Sequence, residues 1–536
     1  MNGVRKWLAE GTAQRWLTGA CVVLALGMIV GLVGVVVQVS SGFFWPRPLL
    51  LLTMKDGSSA LGEVWQQEPD PNNPGTMRLR MKVGNRDLFG ADFRWIRDTD
   101  IASRREPADA WLVERAEYGN FYGFPKQLEL GDSRLAAGQE QFAAVLAREL
   151  ASARSLVAEE RSLLRRIDRL HAPVAMLMAR VSAAQSRKQD TSRLDGELAQ
   201  AQKQEEQATR SDMERIAAAR TKLAPCRLVM RATGGREREI ALGSVVRAVP
   251  VNRLGNTSKL CLYLSRWWEF LSAEPRESNT EGGIFPAIFG TALMVLIMTI
   301  AVVPLGVVTA VYLNEYSGEN PFTSAVRLAL ANLAGVPSIV FGAFGLAFFV
   351  YTVGGGIDRL FFSDTLPTPT FGTGGILWAA LTLALLTVPV VVVATEEGLQ
   401  SVPQAVRDGA RALGATRWQT LRRVVLPYAA PGILTGAILA VARGAGEVAP
   451  LMVTGVVKLA PNLPLDAVPP FLHAERKFMH LGFHIYDVGF QSPNVEAAKP
   501  AVYATVLVLM VLVVVLNMSA IMLRNRLRRR LKGAVV

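Results

Sequence analysis

Residues 396–432, EEGLQSVPQAVRDGARALGATRWQTLRRVVLPYAAPG, lie between two long apolar runs and carry five arginines. Residues 404–413 have helical amphipathic spacing, and Gly414 follows them at a position where a left-handed residue commonly ends a helix. A second helical pattern, 416–425, leads into the next apolar run. Two short helices at such a loop are suited to transmit movement from another protein as one rigid unit. The alternative is an ordinary amphipathic helix that lies at the membrane interface.

Six predominantly apolar runs account for most of the remaining hydrophobic sequence, and each is long enough to cross a bilayer as a helix of about 20 residues. The first is longer than the apolar core of a signal peptide, so we expect an uncleaved membrane anchor. The sequence therefore predicts a mainly α-helical, polytopic membrane protein with six transmembrane helices. The predicted spans are residues 16–37, 284–312, 328–351, 374–395, 431–452 and 501–523.

Basic residues predict how these spans are oriented. They precede the first span, occupy the loop 396–430 and fill the tail 524–536, whereas the loop 352–373 has Arg359 as its only basic residue. The positive-inside rule places both termini and the loop 396–430 in the cytoplasm and the region 41–283 outside. The same asymmetry accounts for the net charge of +13 without a nucleic-acid partner.

Residues 41–283 predict an extracytoplasmic α+β insert that follows the N-terminal segment and anchor helix at 1–40. Strand–turn–strand patterns predict a small β base; they occur at 48–66, 76–96 and 226–249. At about 134–223, Leu and Ile recur at three-to-four spacing among Ala, Arg, Glu and Gln, which predicts a coiled-coil helical hairpin. Two positions offer a break in this helical run, Pro173 and residues 186–192.

The loop 396–430 resembles the EAA loop of ABC-transporter permeases. In that family an E-A-A triplet, a glycine and a later I-x-L-P sequence keep a fixed spacing. The spacing is matched here with Asp for Glu, Gly for Ala and Val for Ile, at Asp408, Gly409, Ala410, Gly414, Val424, Leu426 and Pro427. The resemblance implies that this loop is a coupling helix seated in a separate nucleotide-binding subunit.

The sequence contains no G-x-x-x-x-G-K-[ST] phosphate loop. We therefore expect ATP and Mg²⁺ to be used by a partner ATPase. This chain is expected to bind no cofactor and to have no catalytic residue, so it is a transporter subunit and not an enzyme.

Several stretches also resemble permeases of the phosphate-specific PstA family. They include GVPSIVFGAFG at 335–345, TEEGLQSVPQAVRDGARALGATRW at 395–418 and ARGAGEVAPLMVTG at 442–455. KVGNRDLFGADFRWI at 82–96 and EYGNFYGF at 117–124 resemble the extra N-terminal domain of longer members. The resemblance implies an ABC-importer permease core of MetI-like fold at 284–523.

The same resemblance implies the partners and the function. The partners are a PstC-like second permease, a PstB-like ATPase dimer, a PstS-like periplasmic phosphate-binding protein and the lipid of the bacterial inner membrane. The function is the import of inorganic phosphate, with this multi-pass subunit forming half of the translocation pathway. Molybdate, sulfate or another oxyanion is the alternative substrate, and a membrane-anchored coiled-coil sensor or scaffold is the alternative class. A secondary transporter is disfavoured, because we find no internal repeat and Glu447 is the only carboxylate in the predicted spans.

Arg443 and Glu447 interrupt the apolar sequence of the fifth predicted span. A charged residue at the bilayer centre costs roughly 2.5–3.5 kcal/mol on insertion scales, and such residues usually mark transport pathways. Residues four apart share one helix face, and a guanidinium matches two phosphate oxygens at once. We therefore predict a substrate-pathway pair at these positions. A purely structural ion pair between helices is the alternative. Gly444 and Gly446 suit close helix approach or a local opening of the backbone.

Cysteine and histidine give weaker signals. Cys226 and Cys261 lie in the insert, where a disulfide and two free thiols are both open possibilities. The outer loop contains His473, His480 and His484, but no Glu or Cys completes a ligand set. We predict no metal site and expect this loop to contact the substrate-binding protein.

Overall fold

The computed structural model of the chain describes residues 12–533 except 72, 74, 187–189, 319, 467–470 and 493–494. Parts of the predicted segments 1–40 and 524–536 therefore lie outside the described residues. Six helices in the described part are long and apolar enough to cross a membrane, so the predicted number of spans is confirmed. We number them spans 1 to 6: Arg15–Phe44, Phe285–Tyr316, Ser338–Phe361, Ile376–Gln400, Arg417–Gly446 and Ala498–Arg526.

The start predicted for span 3 is wrong. This span begins at Ser338 and not at residue 328, because Gly335 and Pro337 interrupt the helix. The apolar residues before the interruption belong to a separate helix, Pro321–Leu333. A continuous apolar run does not reveal such a division.

Both predicted ends of span 5 are also wrong. The span begins at Arg417 and not at residue 431, because the second helix of the preceding loop continues directly into the membrane helix. Thr416 caps the start: its hydroxyl accepts from the backbone N–H of Gln419, whose side chain accepts from the Thr416 N–H. The span ends at Gly446, before residue 452, because the backbone at Glu447 is extended.

Helices make up most of the described chain. In chain order they are α1 (Thr12–Phe44), α2 (Arg86–Phe89), α3 (Phe142–Ser186), α4 (Ser192–Leu223), α5 (Asn256–Ser272), α6 (Phe285–Val311), α7 (Pro321–Leu333), α8 (Ser338–Phe344), α9 (Gly355–Phe361), α10 (Ile376–Gln400), α11 (Gln404–Ala412), α12 (Arg417–Thr420), α13 (Leu426–Gly446), α14 (Leu451–Thr454), α15 (Leu481–Tyr486) and α16 (Val495–Gly533). Four π-helical segments extend or join them: Tyr312–Tyr316, Gly345–Gly354, Leu421–Val425 and Asp487–Gln491.

The strands belong mainly to the insert between spans 1 and 2. They are β1 (Leu49–Met54), β2 (Ser59–Pro69), β3 (Met77–Lys82), β4 (Phe93–Arg97), β5 (Ile101–Arg105), β6 (Trp111–Arg115), β7 (Phe121–Leu130), β8 (Ser133–Ala136), β9 (Cys226–Arg231), β10 (Glu237–Ala241), β11 (Val245–Val249), β12 (Pro275–Arg276) and β13 (Glu281–Gly282). One sheet has the order β4-β3-β2-β1-β5, and a second has the order β10-β9-β7-β6-β11 with β8 paired to β7.

The predicted strand pairs are confirmed. β1 and β2 are antiparallel around the Asp56–Gly57 turn, where Gly57 has a φ of +83°, and β3 pairs with β4. β9 and β10 are likewise antiparallel. Because β9 also pairs with β7, the chain before the helical run and the chain after it meet in one sheet. The buried side chains of this sheet include Leu128 and Met230, and Phe142 and Leu146 of α3 pack against them.

The helical hairpin is present as α3 and α4, which pack side by side. Helix α3 ends at Ser186 and α4 begins at Ser192, at one of the two predicted breaks, which lies partly outside the described residues, whereas Pro173 lies inside α3. A proline within a helix costs about 3 kcal/mol or more. Packing of the adjacent Val174, which is buried, offsets that loss. Ion pairs join the two helices, among them Arg166 with Asp212 at 3.3 Å.

Spans 2, 4 and 5 pack most closely within the membrane region. Small residues permit close approach: a Cβ on Gly432 of span 5 would lie 2.6 Å from the Cα of Gly398 in span 4. The buried core between the three spans includes Met298, Leu383 and Ala440. Span 1 is almost entirely exposed, and its packing partner among the spans is span 6.

Polar contacts tie the insert to the loop between spans 5 and 6. Within the insert, Arg86 of α2 forms an ion pair with Glu277 at 2.7 Å, two residues before the contact with the loop at Asn279. Asn279 donates a hydrogen bond to the backbone oxygen of Lys458 at 2.8 Å, and the Lys458 ammonium lies 3.2 Å from the buried carboxylate of Asp487. The insert and this loop therefore lie on one side of the spans.

Candidate functional site

The loop between spans 4 and 5 is the first candidate site. Helix α11 ends at Ala412, and Gly414 follows with a φ of +84°, the left-handed conformation that its position predicts. The Gly414 N–H donates to the Arg411 oxygen at 2.9 Å, and the Ala415 N–H donates to the Ala410 oxygen at 3.2 Å. These bonds close the helix and turn the chain toward span 5.

One arginine anchors this loop to the rest of the chain. The Arg407 guanidinium forms an ion pair with Glu315, at the end of span 2, and donates to the Leu399 backbone oxygen at 2.7 Å. Sequence reasoning counted Arg407 only as one of the basic residues of the loop and missed this role. The signal was Glu315, an isolated carboxylate directly after an apolar span.

Most side chains between residues 403 and 419 of the loop are exposed. Leu413 is 91% exposed and Trp418 is 56% exposed, although both are large and apolar. Asp408 accepts a hydrogen bond from Gln404 at 3.1 Å within the same helix. No atom lies within 4 Å of a Cβ built on Gly409. The loop is thus held at Arg407 and by buried Val402 and Leu421, which pack in a cluster with Leu313 of span 2, whereas Leu413 and Trp418 stay exposed in the described chain. Of the other positions in the motif, Val424, Leu426 and Pro427 lie where the loop joins span 5, and all three are partly buried.

The second candidate site is the pair Arg443 and Glu447. Helix α13 ends at Gly446, and Glu447 has extended backbone angles (φ −80°, ψ 133°), so the prediction that both residues share one helix face is wrong. The pair still forms, because the Arg443 Nε lies 3.7 Å from the Glu447 Oε1. Arg443 also occupies the last turn of α13, where a cation interacts favourably with the helix dipole.

The end of α13 lies well inside the span bundle. A Cβ on Gly444 would lie 2.4 Å from the sulfur of Met298, a residue in the middle part of span 2. The backbone between Gly446 and Leu451, where α14 begins, is not helical. Non-helical backbone at membrane depth is tolerated only where protein covers it or where it lines a water-filled cavity. The close helix approach predicted for Gly444 and the local opening of the backbone both occur here.

The Arg443–Glu447 pair is only partly covered by its own chain. The side chain of Arg443 is 35% exposed and that of Glu447 is 25% exposed. Within the bilayer this partial exposure faces lipid, a cavity or another subunit. A guanidinium in this position has donors available for an anion, and its planar fork matches two oxygens of one phosphate group.

The histidines of the loop between spans 5 and 6 have structural environments. The His480 ring caps α15 by accepting from the Gly482 N–H at 3.1 Å. Burial lowers the pKa of His480 to about 3 and that of His484 to about 4, so both rings are neutral at neutral pH. Among the described residues no group of three or more metal-ligating side chains is present. Cys226 and Cys261 are free thiols and not a disulfide.

The chain is similar to a known protein family in the region of the spans. The family model described as "Binding-protein-dependent transport system inner membrane component" matches residues 303–533. The probable ABC transporter permease protein YqgI of Bacillus subtilis is 32% identical over 271 residues, which are 49% of this chain and 85% of that protein. The phosphate transport system permease protein PstA 1 of Mycobacterium tuberculosis is 33% identical over 266 residues, 50% of this chain and 78% of that protein. The chain belongs to the PstA permease family.

The PstA-family chain is thus a multi-pass membrane protein and a subunit of an ABC transporter. A solved structure of the MetNI methionine ABC transporter in an inward-facing conformation aligns with 46% of this chain and 94% of that chain, at 18% identity and a TM-score of 0.33. The insert lies outside the residues that the family model matches. It is therefore an addition to a PstA-type core formed by spans 2 to 6.

Proposed function

We propose that this chain is the permease subunit of an ATP-driven importer of inorganic phosphate in the bacterial inner membrane. The observation that carries the proposal is the end of α13 inside the span bundle, with the Arg443 guanidinium 3.7 Å from Glu447. Arginine is permanently charged and binds phosphate oxygens in pairs, so its position at a helix break is suited to a transported oxyanion. Membership of the PstA family supports phosphate as that oxyanion.

Glu447 has a distinct role in this proposal. With no anion present, its carboxylate neutralises Arg443 and reduces the cost of a charge at membrane depth. When phosphate enters, the guanidinium exchanges the carboxylate for phosphate oxygens. The Arg443 Nε lies 3.7 Å from the Glu447 Oε1, which is within reach of an ion pair but longer than a hydrogen bond.

The loop 396–430 is proposed to transmit ATP hydrolysis to the spans. Its exposed Leu413 and Trp418 offer an apolar contact to a separate ATPase dimer, and Arg407 carries the movement to span 2 through Glu315. ATP and Mg²⁺ belong to that partner, and this chain performs no chemistry. The second half of the pathway comes from a PstC-like permease, and a PstS-like protein delivers phosphate from the periplasm.

The distribution of charge supports the orientation. Basic residues are concentrated before span 1, in the loop 396–430 and in the tail 524–536, and these regions face the cytoplasm by the positive-inside rule. One span separates the insert from the N-terminal segment, and three spans separate it from the loop 396–430. The insert then lies in the periplasm. No nucleic-acid partner is proposed.

Transport into proteoliposomes tests the proposal. The whole assembly is reconstituted with ATP inside and the binding protein outside, and uptake of labelled phosphate, molybdate and sulfate is measured in parallel. We expect phosphate uptake that depends on ATP. Uptake of molybdate or sulfate in its place would assign another oxyanion. A chain that purifies without an ATPase and transports nothing would instead be a membrane-anchored sensor or scaffold.

A further inference from the structure

Helix α5 (Asn256–Ser272), which joins the insert to span 2, has an apolar outer surface. Leu260, Leu264 and Trp268 follow one another at intervals of four residues and therefore form one strip along the helix. They are 50%, 57% and 72% exposed. None of the exposed residues of α5 is charged, and the strip is flanked by small polar residues, which are Asn256, Thr257, Ser258, Ser265 and Ser272. A helix that faces water has the opposite arrangement.

Two of the three charged side chains of α5 contact the strands of the insert. Arg266 forms an ion pair with Glu114 of β6 at 2.6 Å, and Glu269 forms one with Arg247 of β11 at 3.0 Å. Opposing effects act on the Glu114 carboxyl: burial raises its pKa, but Arg266 and Arg247 outweigh burial and hold the pKa below its usual range. The ionic face of α5 is thus occupied within the chain. Lys259, which is partly exposed, is long enough to reach lipid headgroups from the helix edge.

The inner face of α5 packs at the level where the spans end. Phe44, the last residue of span 1, lies against Trp267, with ring centroids 4.4 Å apart, and against Phe270 at 5.1 Å. The same apolar cluster contains Ala287 of span 2 and Ala504 of span 6. Helix α5 therefore lies at the boundary of the membrane region and not within the water-exposed part of the insert.

We infer that α5 lies in the membrane interface on the side of the insert, with Leu260, Leu264 and Trp268 inserted among the lipids. Amphipathic interfacial helices place their apolar face roughly 5–10 Å into the boundary between headgroups and acyl chains. Lipid is favoured over a protein partner because α5 packs against the last residue of span 1, and span 1 is itself almost fully exposed. Aromatic side chains near the end of that span, including Trp45 and Tyr263, match the aromatic belt of membrane proteins. The inference does not depend on which substrate is transported.

Spin-label accessibility in the reconstituted assembly tests this placement. A label is attached at Leu264→Cys in full-length chain whose own cysteines are replaced by alanine. In a second sample, native Cys261, which is exposed, carries the label after Cys21→Ala and Cys226→Ala. The matched control is Met213→Cys on α4 of the insert, because Met213 is also an exposed apolar residue on a helix, at 52%. Relaxation by oxygen, which concentrates in lipid, is compared with relaxation by a water-soluble nickel chelate.

Lipid and water give opposite ratios of oxygen to nickel accessibility. We expect the ratio of oxygen to nickel accessibility to be several-fold higher at residues 264 and 261 than at residue 213. Equal ratios at the three positions would show that α5 faces water and would overturn the inference. Low accessibility to both reagents at 264 and 261 would also overturn it, because a protein surface would then cover the strip. Similar rates of phosphate uptake in the labelled and unlabelled assemblies would show that the labels leave the fold intact.

Discussion

At the scale of single residues, the Arg443–Glu447 pair separates a transport role from a structural one. Arg443→Lys keeps the positive charge but replaces a planar fork with a point charge. We therefore expect phosphate uptake to fall by at least about tenfold, the effect of losing roughly 1.4 kcal/mol of binding, while membrane insertion is unchanged. Uptake is measured in proteoliposomes, and insertion is measured as the amount of chain recovered with its ATPase.

The double variant is the control for this prediction. Arg443→Ala alone leaves Glu447 at membrane depth without its partner, which is strongly destabilising. In the variant Arg443→Ala with Glu447→Ala, assembly with the ATPase should recover because no unpaired charge is left, but uptake should stay low. Near-normal uptake in the double variant would contradict the pathway role and favour a structural ion pair.

Two carboxylates of the insert, Glu63 and Glu114, should make the stability of the insert depend on pH in opposite directions. Burial raises the pKa of Glu63, and the nearby Lys82 only partly offsets this effect. In the folded protein the charged form of the Glu63 carboxyl is therefore unfavourable. The contribution of Glu63 to stability is lost as the pH rises from about 4.5, its ordinary pKa, through the raised pKa. Glu63→Gln should increase the melting temperature of the full chain, and the gain should be larger at pH 8 than at pH 5. A gain of about 1 kcal/mol corresponds to roughly 2–4 °C.

Glu114 is the control, because its contribution to stability changes with pH in the opposite direction. Its pKa is lowered because Arg266 and Arg247 outweigh burial. Its stabilisation is complete above the ordinary carboxyl pKa and is lost as the pH falls through the lowered one. Glu114→Gln should therefore decrease the melting temperature at both pH 8 and pH 5, because the unfolding free energy falls by about 3 kcal/mol when removal of one partner leaves buried charge unpaired. A lower melting temperature for both variants at pH 8 would contradict the assignment of Glu63.

At the scale of secondary-structure elements, the end of α11 predicts which substitutions the coupling loop tolerates. Gly414 has a φ of +84°, a region that a β-branched residue adopts only with strain but that asparagine tolerates. Gly414→Val should abolish substrate-stimulated ATP hydrolysis while the chain remains in the membrane. Gly414→Asn should retain most of this activity. If assemblies that contain the valine variant and assemblies that contain the asparagine variant both hydrolyse ATP normally, the loop does not couple ATP hydrolysis to transport.

The insert begins and ends at one place, which predicts that it folds alone. The Asn252 side chain accepts from the Leu49 N–H at 2.8 Å and donates to the Leu49 oxygen at 2.9 Å. A fragment of residues 47–254 omits the apolar strip of α5 and should be soluble, with a circular dichroism spectrum that contains both helix and strand. Asn252→Ala should lower its unfolding free energy by about 1–3 kcal/mol, because buried backbone groups lose their partner. An insoluble fragment would contradict this prediction.

The elements also show what the sequence could predict. Hydrophobicity and turn residues predicted the six spans, the β1–β2 turn at Gly57 and the helical hairpin, because these features depend on local pattern. The end of span 5 at Gly446 was missed although Gly444 and Gly446 indicated a local opening of the backbone, because glycines within an apolar run do not determine the residue at which a helix ends. The Arg407–Glu315 pair was missed because its residues are 92 positions apart and meet only through packing.

At the scale of the whole molecule, the structure combines two cores that share little apolar surface. The insert has its own buried clusters, which include Tyr122, Leu128 and Met81. The spans have theirs, and the two parts are joined mainly through α5 and through polar contacts such as that of Asn279 with Lys458. Parts with separate cores need not unfold in one cooperative transition.

Calorimetry of the purified chain in lipid nanodiscs should therefore show two transitions. The one that belongs to the insert should lie at or above the melting temperature of the 47–254 fragment, which lacks Arg266, and should shift with Asn252→Ala. The one that belongs to the spans should be unaffected by that substitution, because Asn252 contacts only residues of the insert through its side chain. A single transition that moves as a whole with Asn252→Ala would mean that the insert and the spans fold as one unit. In that case movement of the coupling loop would reach the insert directly, and the insert would belong to the transport cycle.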